Sequence, residues 1–173
     1  MENKYIVLDT ETTGLNAAED ELLQVSIIDE EGNVLFDSYI RPTQHTEWAE
    51  AEHINHITPE MVADAPIIAE VMPEITDILK RYDKIVGYNV RFDADFLKHN
   101  GAEFSNAEYA DAMKMFAPIY GEWNDQRGSY KWQKLTAAAD YYGYDWSAHE
   151  EAHNSLGDCY ATLFVYHKIL SGE

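Results

Sequence analysis

The spacing of apolar positions changes along the chain, and each change marks an element. Residues 5–8 form a short, fully apolar run (Tyr5, Ile6, Val7, Leu8), which predicts a central strand buried on both faces. Residues 22–29 and 34–40 are two further strand-like runs. Between them Glu30-Glu31-Gly32-Asn33 reads as a turn, so the pair predicts an antiparallel hairpin ended by Arg41-Pro42-Thr43. From there to Pro59 the chain reads as loop-rich. Residues 67–81 place Ile67, Ile68, Val71, Ile75, Ile78 and Leu79 at helical spacing, with Pro73 expected to break or restart the helix near Met72.

The second half continues in the same way. Residues 84–87 predict a strand, followed by a helix over 92–99 that Gly101 ends. A strand over 108–111, a helix over 112–120 and a polar, glycine-bearing loop over 121–130 come next. The last helices fall at 135–142 and 156–170, the second with Leu156, Tyr160, Leu163, Phe164 and His167 along one face. There is no repeat, low-complexity tract or linker. Strands first, with helices between and after them, predict a single α/β domain over residues 1–173 built on a mixed sheet.

Composition narrows the class. Of 173 residues 46% are apolar, enough for a globular core. No run is long enough to span a bilayer, and Met1-Glu2-Asn3-Lys4 leads into the first strand without a signal-like apolar stretch. Cys159 is the only cysteine, which rules out an internal disulfide. No membrane partner and a cytoplasmic setting are expected. The net charge of −20, with 12 Lys and Arg, speaks against tight binding of long duplexes. It does not speak against a phosphodiester-cleaving site, which itself needs acids.

Candidate chemistry gathers in three segments. Asp9 and Glu11 follow the first apolar run in Val7-Leu8-Asp9-Thr10-Glu11-Thr12-Thr13-Gly14-Leu15. Two apart on a strand, their side chains share a face and can bridge cations, although an ordinary polar strand end has the same look. Thr12, Gly14 and Leu15 make a tight turn whose backbone N–H groups can approach a phosphate or sugar. Asp93 stands in Gly87-Tyr88-Asn89-Val90-Arg91-Phe92-Asp93, where a plain helix N-cap is the bland alternative and Asn89 can bond the backbone locally. Asp158 closes His153-Asn154-Ser155-Leu156-Gly157-Asp158 early in the last helix. Carboxylate oxygens without cysteine ligands suit Mg²⁺ or Mn²⁺, and a nearby histidine can activate water.

In this order the segments resemble the three motifs of the DEDDh-type 3′→5′ exonuclease family, the group that includes proofreading exonuclease (epsilon) subunits of bacterial DNA polymerase III. Asp9 through Gly14 match Asp-x-Glu-Thr-Thr-Gly; Asn89, Phe92 and Asp93 match Asn-x-x-Phe-Asp; His153 and Asp158 match His-x-x-x-x-Asp. The resemblance implies a ribonuclease-H-like fold, a mixed five-stranded sheet flanked by helices, and removal of nucleotides from 3′ ends. It further implies two Mg²⁺ or Mn²⁺ ions per active site held by Asp9, Glu11, Asp93 and Asp158, with His153 as general base.

Leu15, Ile57 and Phe92 are candidates to sandwich the terminal base, core packing being the alternative for Ile57 and Phe92. Single-stranded DNA or RNA 3′ ends are the implied substrates, DNA ahead of RNA, with a DNA polymerase as a candidate partner. The chain stops soon after the third motif, which favours stand-alone action. One departure stands out: relatives often carry His-Gly-Ile where this chain has Asn55-His56-Ile57, and the larger residue at the glycine position is expected to reshape the terminal-nucleotide pocket.

Other signals weigh less. A non-catalytic adaptor of the same fold is the alternative from another class, disfavoured because all five family positions are filled. His149-Glu150-Glu151-Ala152-His153 fits the zinc-protease pattern but lacks its continuation. His53 and His56 read as solvated loop histidines. Cys159 reads as a small buried residue. Arg127, Lys131 and Lys134, interleaved with Tyr130 and Trp132, are a candidate contact for a nucleic-acid backbone.

Overall fold

The computed structural model describes residues 4–148 and 154–173. Its centre is β1 (Ile6–Thr12), which runs past the apolar run to include both acids of the first motif. β2 (Leu22–Asp29) pairs antiparallel with β1, and β3 (Val34–Tyr39) antiparallel with β2. β4 (Lys84–Gly87) and β5 (Glu108–Asp111) add in parallel on the other side, giving the order β3-β2-β1-β4-β5.

Strand alternation divides the core between the two faces of this sheet. Ile6 and Leu8 pack with Ile75, Ile78 and Leu79 of α3 (Ile68–Leu79) and with Phe96 and Leu97 of α4 (Val90–His99). Val7 points the other way, against Ile28, Val86 and the Cys159, Leu163 and Tyr166 side chains of α7 (Ser155–Ser171). Continuing that alternation puts Asp9 and Glu11 on the α7 face and Thr10 on the α4 face. α5 (Ala112–Tyr120) and α6 (Leu135–Tyr141) cover the outside of α7 through Phe116, Ala138 and Ala139.

Several expectations are corrected. Pro73 lies inside an unbroken α3. It faces solvent, so the carbonyl it leaves without a donor reaches water, while Met72, Ile75, Ile78 and Leu79 hold the buried side. The stretch read as loop contains α1 (Ala49–Asn55), and α2 (Pro59–Val62) starts at its end. These short, largely polar helices are held by contacts distant in sequence: Trp48, Ile57 and Val62 pack on Leu23, and the Trp48 indole donates to the Ile57 carbonyl at 2.7 Å. His53 and His56 are thus on a helix and at its end, and both are exposed.

The 121–130 loop contains a small hairpin, β6 (Trp123–Asn124) and β7 (Ser129–Tyr130), closed by edge-to-face packing of Trp123 on Tyr130. α7 buries most of its circumference, not one stripe, and His167 is exposed with its ring bonded to the Tyr5 hydroxyl at 2.6 Å. Among the described residues no helix is long and apolar enough to cross a membrane.

Candidate active site

Asp9, Glu11 and Asp158 meet where the end of β1 faces the first turn of α7. One carboxylate oxygen from each lies within 4.8 Å of the other two. α7 approaches this closely because the residues it turns to the sheet are small. At its start these are Ser155 and Cys159, both buried, and the Cys159 thiol donates to the Ser26 carbonyl at 3.4 Å. Asn154 caps the helix by accepting from the Leu156 N–H at 3.0 Å.

Residues that the sequence reading passed over fix this junction. Gln24 and Ser26 pair with Glu11 and Asp9 across β1–β2. The Gln24 amide accepts from the Ser155 N–H at 3.2 Å and donates to Asn154 at 3.4 Å. The Ser26 and Ser155 hydroxyls lie 2.5 Å apart, and Ser26 also donates to Asp37 at 2.7 Å. Gln and Ser on a predicted strand are a weak signal, since only the partner helix gives them a purpose.

Asp93 stands apart from the trio. It is not the cap of α4; Asn89 occupies that position in a left-handed conformation, without a side-chain capping bond. Asp93 is buried and accepts from the Thr10 N–H at 3.0 Å and the Thr10 hydroxyl at 2.8 Å. Thr10, the variable position of the first motif, therefore ties β1 to α4 on the face opposite Asp9.

The cluster is electrostatically frustrated. Burial, followed by repulsion from Asp93, Asp158 and Glu11, holds the Asp9 carboxyl well above the usual carboxylate range. Burial and the Asp158 and Asp93 charges push Glu11 up to about 8, with a hydrogen bond from Asn55 opposing them. Asp93 rises to about 7, chiefly through burial, despite the Thr10 bonds. Among the described residues the groups named as acting on Asp9 and Glu11 include no cation, and a set of close oxygen donors repelling one another is what a hard divalent ion relieves.

Beside Glu11 opens a cavity of about 580 Å³. Thr10, Thr12, Thr13 and Gly14 line it, together with the apolar Leu15, Ala51, Ile54 and Phe92. Leu15 is 87% exposed and Ile54 60%, whereas Ile57 is buried against Leu23, Trp48 and Val62. Ile54, not Ile57, thus borders the cavity with Leu15 and Phe92, and Asn89 does not line it.

Gly14 has a packing reason: a Cβ there would meet the Asp20 carboxyl at 2.4 Å. The larger residue at the glycine position, His56, does not line the cavity. Asn55 lines it and donates to the Thr12 carbonyl at 3.3 Å, but His56 is exposed on another surface, beside Ala49, Glu52 and His53. Its φ of 59° explains why glycine suits that position. His153, and the whole pattern from His149 to His153, lies outside the described residues.

Fold and site together define a metal-dependent nuclease of the ribonuclease-H-like fold. The sequence matches the family model named Exonuclease (RNase_T) over residues 6–166, and the chain belongs to this exonuclease family, in its DEDDh group. The protein named "Uncharacterized exonuclease CP81" of Escherichia phage 186 is 32% identical over 182 residues, covering 99% of this chain and 91% of that protein. The PolC-type DNA polymerase III of Staphylococcus saprophyticus is 28% identical over 173 residues, covering 96% of this chain but 11% of the polymerase.

Among solved structures, a zinc-bound E. coli ExoI–ssDNA complex superposes with a TM-score of 0.78 at 21% identity, covering 100% of this chain and 41% of that one. That likeness is one of fold. The adaptor and zinc-protease alternatives give way to an exonuclease acting on nucleic acid.

Proposed function

We propose that the protein removes nucleoside 5′-monophosphates one at a time from the 3′ ends of single-stranded or frayed DNA. The observation that carries this reading is the Asp9–Glu11–Asp158 trio, whose Glu11 lines a half-apolar cavity large enough for a terminal nucleotide. Asp9, Glu11 and Asp158 would hold one Mg²⁺ or Mn²⁺, and Asp9 with Asp93 would serve a second. The ions, once bound, would polarise the phosphate and offset charge on the leaving 3′ oxygen.

The chain's own residues do the rest. Leu15 and Phe92, which both line the cavity, would meet the terminal base, apolar contacts that tolerate any base. Phe92 is braced by Phe96, with ring centroids 5.0 Å apart. The turn at Thr12 and Gly14 sets backbone groups toward the sugar. Thr10 holds Asp93 in place, and Gln24 and Ser26 fix the start of α7. His153 takes the proton from the attacking water, a task suited to a near-neutral side chain.

The names of the relatives support DNA over RNA. The phage protein, matched over most of its length, supports action outside a polymerase chain, whereas the PolC likeness supports proofreading beside one; both settings are cytoplasmic. The test is a time course on 5′-labelled single-stranded DNA and RNA of equal sequence in Mg²⁺, Mn²⁺ or EDTA, beside His153→Ala. A metal-dependent ladder shortening from the 3′ end, favouring DNA and lost in the variant, is expected. No trimming with either metal would overturn the reading.

A further inference from the structure

A second cavity, of about 240 Å³, lies along another face of α4. Consecutive residues divide the two: Phe92 lines the first, Arg91 the second, joined one and two turns on by Asp95 and Lys98. The end of β5 and the start of α5 complete it. Val86 pairs with both Val7 and Ala110, so Asp111 comes level with Leu8 two strand spacings away, about 10 Å. The cavity therefore opens on the same edge of the sheet as the acidic trio, a short reach from it.

Its charge runs against the rest of the molecule. In a chain of net charge −20, Arg91, Lys98 and Lys114 line this one cavity, against Asp95 and Asp111. Two of the cations lie at aromatic rings. Lys98 Nζ is 5.1 Å from the Tyr109 ring centre, and Lys114 Nζ is 5.7 Å from that of Trp132 and 3.4 Å from Asp111 Oδ2. Tyr109 and Trp132 are 39% and 59% exposed, so both offer surface to a ligand. Asp111 Oδ1 accepts from the Asn89 and Met113 N–H groups, while Oδ2 is buried without a hydrogen-bond donor.

Cations beside an open aromatic ring in the concavity, with the Trp132 ring against Lys114 outside its lining, are the combination that holds single-stranded nucleic acid. We propose that this cavity is an upstream subsite: it binds a phosphodiester unit of the strand whose 3′ end lies at the trio, Arg91, Lys98 and Lys114 meeting phosphate and Tyr109 and Trp132 meeting a base. It gives a strongly acidic protein a local means of holding a polyanion. The proposal rests on the reading of the trio as a 3′-end nuclease site.

The test compares Lys98→Gln/Lys114→Gln with wild type by anisotropy of 5′-fluorescein decathymidylate in Ca²⁺, over a range of salt. The double variant should bind about tenfold more weakly, and its log Kd against log salt should be shallower by about 0.7 per lost contact. Lys80→Gln/Lys168→Gln, with the same charge change at sites remote from the cavity, should match wild type. Equal weakening in both variants, no weakening in the first, or no binding by wild type would each overturn the proposal.

Hydrolysis of the p-nitrophenyl ester of thymidine 5′-monophosphate in Mn²⁺, which has no upstream phosphate, separates this from the catalytic reading. The cavity variant should cleave it like wild type, and loss there would overturn the subsite. Wild type that binds the strand through these lysines but cleaves neither ester nor strand would instead sink the nuclease reading and leave the binding site standing.

Discussion

Glu11 and Glu21 stand at the two ends of one β1–β2 connection, and they ionise in opposite directions. Burial and the Asp158 and Asp93 charges push Glu11 up to about 8. Burial works the same way on Glu21, yet hydrogen bonds hold its carboxyl down at about 2. Glu21 accepts from the N–H groups of Thr43, Gln44 and His45, from the Thr43 hydroxyl and from the His45 ring, which anchors the segment leading to α1. Among the described residues Glu11 has acids for neighbours, opposed by a hydrogen bond from Asn55. The same side chain is a satisfied structural clasp in one place and an unsatisfied ligand in the other. The difference lies in whether the fold supplies the donors or leaves them to an ion.

Single substitutions should separate the two roles. The largest effect belongs to the trio: Asp9→Asn should lower kcat by about 10³-fold or more, measured on a single-stranded oligonucleotide in Mn²⁺. Glu21→Gln should do the reverse. Replacing a charged acceptor by a neutral one should cost about 2 kcal/mol of stability by urea unfolding, with kcat within a factor of a few of wild type. A Glu21→Gln protein of normal stability would break the comparison from the structural side.

Acidity offers a second contrast. Glu11 and Asp93 have folded-state pKa values raised above their unfolded ones, so the stability they allow is fully present below about pH 4 and is lost as pH rises toward 8. Glu21, with a lowered value, contributes stability above about pH 4.5 that is lost as pH falls toward 2. Metal-free protein should therefore lose unfolding free energy on both sides of about pH 4–5. Urea midpoints in EDTA across pH 3–9 would show this, and Glu21→Gln should flatten only the acid limb.

Much of this was legible in sequence because it is local. Asp9 and Glu11 share a face by strand alternation alone, and the hairpin from Leu22 to Tyr39 follows from its own turn. What escaped is held by partners distant in the chain. Nothing near Thr10 announces that it bonds Asp93, and nothing near Gln24 announces Ser155. α1 is polar and short, so only the burial of Trp48 against Ile57 and Leu23 makes it a helix. For the same reason Ile57 looked like a pocket residue and Ile54 did not, since without α1 the two could not be assigned to opposite sides.

The smallest expected effect is on α1. His56→Gly removes a side chain from a left-handed position that takes no part in the cavity, and should raise stability by about 0.5–1 kcal/mol without changing kcat. Strain of that kind is local to the backbone, whereas the strain at the trio is meant to be relieved by a ligand.

That last point is tested most directly by thermal unfolding at pH 8 in EDTA and in saturating Mn²⁺, for wild type and Asp9→Asn. Wild type should gain about 5–10 °C with the ion. Asp9→Asn should melt higher than wild type in EDTA, because one repelling charge is gone, and should lose most of the response to Mn²⁺. A wild-type midpoint indifferent to Mn²⁺, or an Asp9→Asn variant that responds as wild type does, would contradict the account.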